Sequence, residues 1–262
     1  MQKCATCGGE KMINSQRQNE IMEILLDEGY MTVHELAKRL HTSESSIRRD
    51  LSRLEERGLV QRSYGGAEPV AADSPNVSFK MRMHADQQKK KRIAATALGL
   101  IKKGSVVFLD CGSTVQYLVE LLPSVKGITV ATNGVEALHY LSQHQVKVIS
   151  TGGTVNPDNS AALIGDRVSA FWQSARADVC FFSARALDGS GNIFDNQEAE
   201  ITSIRAMLPS SALRVFLCDS TKIGKSATFM LGTLRDVDIV ICDKDISTKY
   251  KKKFPGVTFL SP

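Results

Sequence analysis

The stretch TSESSIRRDLSRLEERGLVQRSYGGA, residues 42 to 67, decides how the N-terminal part of the chain folds. Ser43 has a hydroxyl side chain of the kind that caps the first turn of a helix. Apolar residues then recur at helical spacing from Ile47 to Leu54, and Gly58 is typical of the position just after a helix. The residues that follow Gly58 alternate and end in a glycine pair. The stretch therefore predicts a helix followed by a short strand and a turn.

Arginines lie mostly on the remaining faces of this predicted helix. Arg48 and Arg49 are adjacent near its start, and Arg53 follows one turn later. A helix of this kind fits the major groove of DNA, and a basic hairpin after it fits the flank of the groove. We therefore predict that these three arginines, together with Arg62 and Tyr64 of the hairpin, contact DNA.

Two shorter helical patterns precede this stretch. The first runs from Ser15 to Glu28, and in the second Thr32 and Glu35 have the spacing of a capping box. Helix, short helix, tight turn, helix and hairpin is the layout of a winged helix-turn-helix. We predict this domain over residues 15–67. Residues 68–85 contain two prolines and no periodicity, which predicts a linker.

The charge supports DNA binding only locally. The 262-residue chain has a net charge of +5, but residues 1–70 contain ten basic and eleven acidic residues. Between Lys38 and Arg62 the balance is seven basic against four acidic. The DNA-binding prediction therefore depends on one face. Two further basic runs, at 89–92 and 249–253, are interpreted as solvated segments.

The cysteines and the hydropathy pattern indicate a reduced, cytoplasmic protein. Cys180, Cys218 and Cys242 lie in apolar runs, where a thiol behaves as a small hydrophobic group. We find no signal peptide and no apolar run of membrane length, and we predict no membrane association. Cys4 and Cys7 form a CxxC pair, but a structural zinc site needs four ligands. We therefore predict no metal and no cofactor.

The C-terminal part alternates short apolar runs with helical segments. Continuous apolar strands that alternate with helices are typical of a parallel sheet covered on both faces. We predict an α/β domain over residues 86–262, following the N-terminal winged helix-turn-helix. The predicted strands are Ser105–Leu109, Ile128–Ala131, Lys147–Ser150, Val179–Phe182, Val215–Cys218, Ile239–Cys242 and Val257–Leu260.

Small and hydroxyl-bearing residues follow four of these strands. In an open parallel sheet, ligands bind beyond the carboxyl ends of the strands. Backbone N–H groups at helix starts favour an anion there, and Lys222 supplies a countercharge. Each loop alone is more typical of an ordinary turn or cap, but together they predict a site for a small phosphorylated metabolite. The predicted residues are Asp110, Gly112, Ser113, Thr114, Thr132, Asn133, Gly152, Gly153 and Lys222.

We predict no catalytic residues. Asp110, Asp188, Asp195, Glu198 and Asp219 have the chemistry of a general base, but the sequence does not pair any two of them. The five histidines lie away from the predicted loops. The pattern also lacks the Walker A and GxGxxG motifs of nucleotide sites. An enzyme is therefore the less favoured interpretation.

The chain resembles the DeoR family of bacterial transcriptional regulators. The run SSIRRDLSRLEERGLVQRSYGGA is similar to the signature helix and wing of the family, and the runs DCGST, TNG, STGGT, QEAEITSIRAML and DSTKIG are similar to its sensor domain. The resemblance implies a fold related to sugar-phosphate isomerases, repression of sugar-catabolic genes and a sugar phosphate as inducer. It also adds Ser45 and Ser46 to the predicted DNA contacts, and we place the capping Ser43 with them.

The chain departs from the family pattern after the predicted strand 179–182. The family has a loop of the type Gly-Ala-x-Gly, and this chain has Ser183-Ala184-Arg185-Ala186. The added Cβ atoms narrow a close backbone approach to a ligand. Arg185 either contacts a phosphate or fills the pocket, and we include it among the predicted effector-binding residues.

We predict a repressor that acts as a homo-oligomer, a dimer or tetramer, on a double-stranded DNA operator. A phosphorylated sugar that binds better to the form with poor DNA geometry releases it. Two alternatives stay open. One is a sugar-phosphate isomerase or deaminase with an appended DNA-binding domain. The other is an architectural DNA-binding protein whose sensor has lost its ligand.

Overall fold

The structure is a computed structural model that describes residues 17, 18, 20–22, 24, 25, 28–70 and 79–262. The chain divides into two compact units, Met1–Ala85 and Asp86–Pro262. The CxxC pair at Cys4 and Cys7, with its zinc alternative, and the first residues of the predicted helix from Ser15 lie outside the described residues.

The N-terminal unit has the predicted winged helix-turn-helix layout. The described residues between 17 and 28 are helical. The elements that follow are β1 (Met31–Thr32), α1 (Val33–Arg39), α2 (Glu44–Glu56), β2 (Val60–Ser63), β3 (Gly66–Pro69) and α3 (Phe79–His84). The three strands form an antiparallel sheet in the order β1-β3-β2.

The helix boundaries follow the capping signals in the sequence. The Thr32 hydroxyl accepts the Glu35 N–H, and the Glu35 carboxylate accepts the Thr32 N–H, so the predicted capping box is confirmed. The Ser43 hydroxyl accepts the Ser46 N–H at the start of α2. Gly58 ends α2 with a φ of 65°, a left-handed conformation that costs glycine little.

Apolar side chains of the helices and the sheet form a separate core for this unit. Ile21, Leu25, Leu36, Ile47 and Leu51 are all completely buried in it. Full burial of such side chains contributes about 1.5–3 kcal/mol each. The helical spacing that predicted α2 is therefore the spacing of its buried face.

A buried carboxylate fixes α2 against the first helical segment of the chain, at Arg17 and Gln18. Asp50 is completely buried, and its carboxylate accepts the Arg17 Nε–H at 2.5 Å and the Gln18 Nε2–H at 3.1 Å. A buried charge needs such partners because its desolvation is costly. The sequence analysis had counted Asp50 only as one acidic residue in a helix.

The wing, which is the hairpin of β2 and β3, is held to the rest of the unit by Tyr30. The Tyr30 hydroxyl donates to the Tyr64 carbonyl at 3.0 Å, at the turn between β2 and β3. A Cβ atom on Gly66 would lie 2.3 Å from the Met31 carbonyl oxygen and 2.6 Å from the Tyr30 hydroxyl. Glycine at position 66 is thus required by the close approach of β1 and Tyr30.

Part of the predicted linker, residues 68–85, has regular secondary structure. β3 continues to Pro69, and α3 occupies Phe79–His84. Met81 of α3 is buried in the core of the N-terminal unit. Six helical residues are too few to show a clear period in the sequence, so the linker prediction was too long at both ends.

The second unit is built on a seven-stranded parallel sheet, which confirms the predicted α/β fold. All seven predicted strands are present. They are β4 (Val106–Leu109), β5 (Thr129–Thr132), β6 (Lys147–Ser150), β9 (Ala177–Ser183), β12 (Ser211–Leu217), β14 (Ile239–Ile241) and β15 (Thr258–Leu260). Their order in the sheet is β15-β14-β12-β9-β4-β5-β6.

Helices connect these strands and cover the sheet. They are α4 (Gln87–Leu98), α5 (Ser113–Val119), α6 (Val135–Gln143), α7 (Asp166–Ser174), α8 (Glu198–Met207) and α9 (Ser247–Tyr250). Short 3₁₀ turns occur at Leu122–Ser124, Leu208–Ser210, Ser220–Lys222 and Leu234–Asp236. No helix in the described part of the chain is both long enough and apolar enough to cross a membrane.

Antiparallel elements that the sequence analysis did not predict lie between these strands. β7 (Thr154–Asn156) pairs with β8 (Asn159–Ile164), and a separate sheet has the order β10-β11-β13. The strands of that sheet are β10 (Ala186–Leu187), β11 (Asn192–Asp195) and β13 (Phe229–Thr233). These short strands lack a long apolar run, which is the signal that identified the parallel strands.

Aromatic side chains fill the core on one face of the parallel sheet. Trp172, Phe108, Phe182 and Phe216 are all buried, and Phe108 packs on Trp172 with ring centroids 4.7 Å apart. The Trp172 indole N–H donates to the Ser203 hydroxyl at 3.0 Å, which joins α7 to α8. This core fixes the carboxyl ends of the central strands.

Candidate functional site

The predicted DNA-binding side chains lie on the exposed surface of α2 and the wing. Arg48, Arg49, Arg53 and Arg62 are exposed, and the Tyr64 side chain is fully exposed at the tip of the wing. Tyr64 also has a φ of 26°, which is rare for a non-glycine residue. The Tyr30 hydroxyl bonds to the Tyr64 carbonyl and holds this backbone, and the Tyr64 ring is exposed to the solvent.

Several of these side chains are held by neighbours on the same surface. The Arg48 guanidinium pairs with Glu44 at 2.7 Å, and the Arg62 guanidinium donates to the Ser52 hydroxyl at 3.0 Å. The Ser43 hydroxyl lies 3.0 Å from the hydroxyls of both Ser45 and Ser46. Exposed pairs of this type contribute little to stability, so they orient side chains more than they hold the fold.

The second candidate site lies where the order of the parallel strands reverses. The chain runs from β4 outward to β5 and β6, and then returns to the other side of β4 as β9. A crevice at such a reversal is the usual place for a ligand in an open α/β sheet. Asp110 follows β4 and Ser183 ends β9, so both lie at this crevice.

Asp110 joins the two strands that diverge at the crevice. It is buried, and its carboxylate accepts the Gly112 N–H at 2.6 Å and the Ser183 N–H at 2.9 Å. Burial raises the pKa of Asp110 to about 7, although these two hydrogen bonds oppose the shift. A Cβ atom on Gly112 would lie 2.9 Å from this carboxylate. Asp110 and Gly112 therefore shape the loop.

Lys222 is the cation at this crevice. Its ammonium donates to the Ser183 hydroxyl at 2.9 Å and lies 3.5 Å from the Thr114 hydroxyl. The Ser183 hydroxyl in turn donates to the Leu217 carbonyl at 2.7 Å. Two of the predicted loops, 110–114 and 219–224, thus meet the end of β9 at one ammonium group. Ser183, which we had considered only as a departure from the family pattern, is the residue that holds it.

Asp219 provides the countercharge for this lysine. It is almost completely buried and lies 3.4 Å from the Lys222 ammonium. Burial alone raises the pKa of Asp219, but Lys222, the Thr221 hydroxyl and Lys90 together lower it below the usual value. Lys90 is itself buried in the first turns of α4, so part of the basic run 89–92 is not solvated as predicted.

Thr132 and Asn133 form the next part of the crevice, after β5. Both are buried, and the Thr132 hydroxyl accepts the Gly134 N–H at 2.9 Å. The Asn133 side chain donates to the Leu163 carbonyl at 3.1 Å. In the described residues, no side chain caps the N-termini of α5 or α6, so their first N–H groups are free of side-chain acceptors.

Glu200 on α8 is a crevice residue that the sequence analysis missed. Its carboxylate accepts the Asn159 amide at 2.7 Å, the Asn156 amide at 3.3 Å and the Cys111 thiol at 3.6 Å. The run QEAEITSIRAML contains it, but nothing in the local pattern separates Glu200 from the other acidic residues of that helix. The hairpin of β7 and β8, which was not predicted, supplies both asparagines.

Among the predicted effector-binding residues, Gly152, Gly153 and Arg185 are not buried. Gly152 and Gly153 are exposed, with φ values of 70° and 105°. A Cβ atom on Gly153 would lie 2.6 Å from the Ile164 carbonyl oxygen, so the turn itself requires glycine. Arg185 is half-buried, and its backbone N–H donates to the Phe194 carbonyl at 3.0 Å. Among the described residues, the side-chain hydrogen bonds of Lys222 go to Ser183 and Thr114.

The described residues contain no group of three or more His, Cys, Asp or Glu side chains placed to hold a metal ion. The crevice instead combines one ammonium, several hydroxyls and free helix N-termini. These groups bind an oxyanion by charge and by hydrogen bonding. The site is therefore suited to a small anionic ligand.

Family models match both parts of the chain. Residues 17–72 match the DeoR-like helix-turn-helix domain, and residues 85–244 match the DeoR C terminal sensor domain. Among solved structures, ribose 5-phosphate isomerase A from Methanocaldococcus jannaschii has a TM-score of 0.40 and 16% identity, over 53% of this chain and 55% of that chain.

Similar proteins of known name extend over nearly the whole chain. The HTH-type transcriptional regulator GolR of Listeria innocua is 32% identical over 93% of this chain and 96% of its own length. GlpR of Haloferax volcanii is 29% identical, over 94% and 97%. The glycerol-3-phosphate regulon repressor of Escherichia coli is 28% identical, over 88% and 92%. The chain belongs to the DeoR family of transcriptional regulators, with a DeoR-like helix-turn-helix domain and a DeoR sensor domain.

Proposed function

We propose that this protein is a sequence-specific repressor of sugar-metabolism genes that a phosphorylated sugar releases from its operator. The observation that carries the proposal is the Lys222 ammonium, which meets Ser183 and Thr114 at the reversal point of the sheet. This arrangement suits a phosphate group. The name of the related glycerol-3-phosphate regulon repressor supports an effector of the same chemical class.

The DNA contacts in this proposal come from α2 and the wing. Arg49 is exposed near the start of α2, where the residues of a recognition helix reach the base edges. Ser45 and Ser46 are suited to backbone phosphates, while Arg62 and Tyr64 flank the groove from the wing. We propose that the protein binds as a homo-oligomer in the cytoplasm, because helix-turn-helix dimers read two half-sites.

The release mechanism follows from linkage. A ligand shifts an equilibrium only by the difference between its affinities for the two states. We propose that the phosphosugar binds more tightly to the form that fits the operator poorly. The operator and the effector then weaken each other's binding by the same factor.

We also propose that the crevice has no catalytic activity. Asp110, Asp219 and Glu200 are carboxylates of the crevice, and each is engaged by donors from the protein: N–H groups for Asp110, the Thr221 N–H and Lys222 for Asp219, and amide and thiol groups for Glu200. A general base needs a free oxygen near the proton that it removes. Turnover of a ketose phosphate by the purified chain would contradict this part of the proposal and favour the isomerase alternative.

A thermal-shift screen of phosphosugars, combined with selection of bound sequences from random DNA, tests the proposal. A ligand at 100 times its dissociation constant stabilises the folded state by about 2.7 kcal/mol. We expect at least one phosphosugar to raise the melting temperature and to release the selected DNA in a gel-shift assay. A protein that binds specific DNA but responds to no phosphosugar would instead be the architectural alternative.

A further inference from the structure

Glu44 places a carboxylate at the start of α2, on the surface that we assign to DNA. It is the first residue of the helix, directly after the capping Ser43, and its side chain is 40% exposed. A negative charge in this place repels DNA phosphates and lowers the affinity for every DNA sequence. The dipole of α2 favours any acid in the first turn, but it does not account for the partners that this one has.

Both carboxylate oxygens of Glu44 have a partner on this surface. Oε2 accepts the Arg48 Nη2–H at 2.7 Å, and Oε1 lies 3.1 Å from the His34 Nδ1. The hydrogen bond from His34 and the charge of Arg48 lower the pKa of Glu44. An ionised carboxylate only accepts hydrogen bonds, so the His34 Nδ1 is a donor. The Glu44 side chain is thus held between α1 and the next turn of α2.

This pairing orients the Arg48 guanidinium. The group presents several N–H donors in one rigid plane, and Glu44 uses a single Nη2–H. The Arg48 side chain is 57% exposed, which leaves the other donors accessible to DNA. A bidentate contact to guanine O6 and N7 needs this plane at a defined angle. Holding the group before DNA binds reduces the conformational entropy that the contact would otherwise cost.

Arg49, the neighbour of Arg48, provides the contrast. It is exposed in the same turn of α2, but it has no ion pair within the part of the chain that the structure describes. Its side chain must be ordered when DNA binds, which costs conformational entropy. The orienting contact is therefore specific to Arg48 and is not a general property of the arginines on this surface.

Resting on the proposed DNA-binding function, we propose that Glu44 is a positioning residue for sequence readout. It holds the Arg48 guanidinium in the orientation that reads a guanine, and its charge weakens binding to all DNA. The operator offsets the repulsion through the Arg48 contact, and unrelated DNA does not. Glu44 thus increases the ratio of operator affinity to non-specific affinity in two ways.

A different role for Glu44 would be direct contact with a base. A carboxylate near the base edges also accepts a hydrogen bond from cytosine N4. The geometry favours the positioning role, because each Glu44 oxygen already accepts from a protein side chain. The two roles affect different base positions, so experiment separates them.

Glu44→Gln tests the inference in the full-length protein, after selection of an operator from random DNA. The variant keeps the size of the side chain but removes its charge. We expect gel-shift affinity for the operator to fall by about tenfold and affinity for unrelated DNA to rise. Glu56→Gln removes the same charge from an exposed site at the end of α2 and should change both affinities alike. Parallel changes in Glu44→Gln, or no change, overturn the inference.

Arg48→Ala and the double variant with Glu44→Gln show whether Glu44 acts through Arg48. We expect both proteins to have the same ratio of operator to non-specific affinity, because the second change removes a contact that is already lost. Repeated selection with Glu44→Gln and with Arg48→Ala should relax the preference at the same guanine. Additive losses, or a relaxed cytosine at another position, would make Glu44 a direct base contact and overturn the inference.

The proposed function and the inference fail in different ways. If the wild type selects no DNA sequence, the proposed function is wrong and the inference falls with it. If the wild type selects an operator but Glu44→Gln keeps the same ratio of affinities, only the inference is overturned. Melting curves should be alike for all these variants, since exposed ion pairs contribute little to stability.

Discussion

The two candidate sites differ in how their side chains are held. On the DNA-binding face, Arg49 and Tyr64 are exposed, and Arg48 and Arg62 make ion pairs and hydrogen bonds with neighbours on the same surface. At the crevice, Asp110, Ser183 and Lys222 are largely buried and bonded to residues far away in the chain. The first site is a surface with adaptable side chains, and the second is a fixed arrangement.

This difference indicates where each site is sensitive to change. Replacing an exposed arginine should have little effect on the fold, so the change should appear only in DNA binding. Replacing a buried polar residue should reduce both stability and ligand binding, because its hydrogen-bond partners stay buried but lose their partner. Four predictions test this contrast, beginning with the largest expected effect.

Asp50 tests whether the exposed face depends on a buried group beneath it. Asp50→Ala removes a buried carboxylate and its hydrogen bonds from Arg17 and Gln18, and breaking a buried pair costs about 3–5 kcal/mol. We expect urea unfolding of the full-length protein to show this loss in the N-terminal unit. Glu56→Ala, which removes an exposed acid from the same helix, should change stability by less than about 0.5 kcal/mol. Equal effects of the two variants would contradict the structural role of Asp50.

Lys222 tests the fixed arrangement of the crevice. Lys222→Met keeps the aliphatic part of the side chain but removes a charge-assisted hydrogen bond, which is worth about 1.5–3 kcal/mol. We expect the variant to bind DNA as the wild type does and to need about ten to a hundred times more phosphosugar for release in a gel-shift assay. Lys244→Met, an exposed lysine of the same unit, is the control. Because Asp219 loses its cation, melting curves should accompany the assay. Normal induction of Lys222→Met would place the phosphate elsewhere.

Arg49 tests the adaptable surface. If Arg49 reads a base, Arg49→Ala should cost about 1–3 kcal/mol on the selected operator and much less on unrelated DNA. We expect an unchanged melting temperature, since the side chain is exposed. Arg167→Ala removes the same charge from an exposed site in the other unit and should leave operator affinity unchanged. A loss that is equal on all sequences would make Arg49 a phosphate contact instead.

The pH dependence of stability provides the smallest effect. The pKa of Asp110 is raised to about 7 in the folded protein, so the folded state holds this proton more tightly than the unfolded chain does. Stability therefore falls as pH rises from the usual carboxyl range to about 7, and between pH 6 and 8 the loss is about 1 kcal/mol. We expect the stability of Asp110→Asn, measured by thermal unfolding, to decrease less than that of the wild type between these pH values. An identical pH profile in both proteins would mean that Asp110 is ionised throughout.

The regular parts of the fold were predictable because each has a strong local signal. The capping box of Thr32 and Glu35, the apolar period of α2 and the seven apolar runs all depend on nearby residues. The short strands β7, β8, β10, β11 and β13 were missed because they lack such runs. The six-residue helix α3 was missed for the same reason.

The crevice was predictable only in part. Strand ends identify loops that converge, so Asp110, Thr114 and Lys222 were found from position alone. Glu200 and Ser183 were not, since their roles depend on partners 39 to 89 residues away. The buried Lys90 was assigned to a solvated segment, and Asp50 was only counted among the acidic residues, because charged side chains are rarely buried.

The pairing of β4 with β9 has a consequence for synthesis of the protein. The hydrogen bond from Ser183 to Asp110 joins residues 73 positions apart, whereas the wing turn closes within a few residues. At roughly 5–20 residues per second, Ser183 follows Asp110 on the ribosome by about 4–15 s. The nascent chain therefore contains every residue of the helix-turn-helix and wing well before its crevice can close. The groups of the crevice, from Asp110 to Lys222, are therefore synthesised after those of the DNA-binding face.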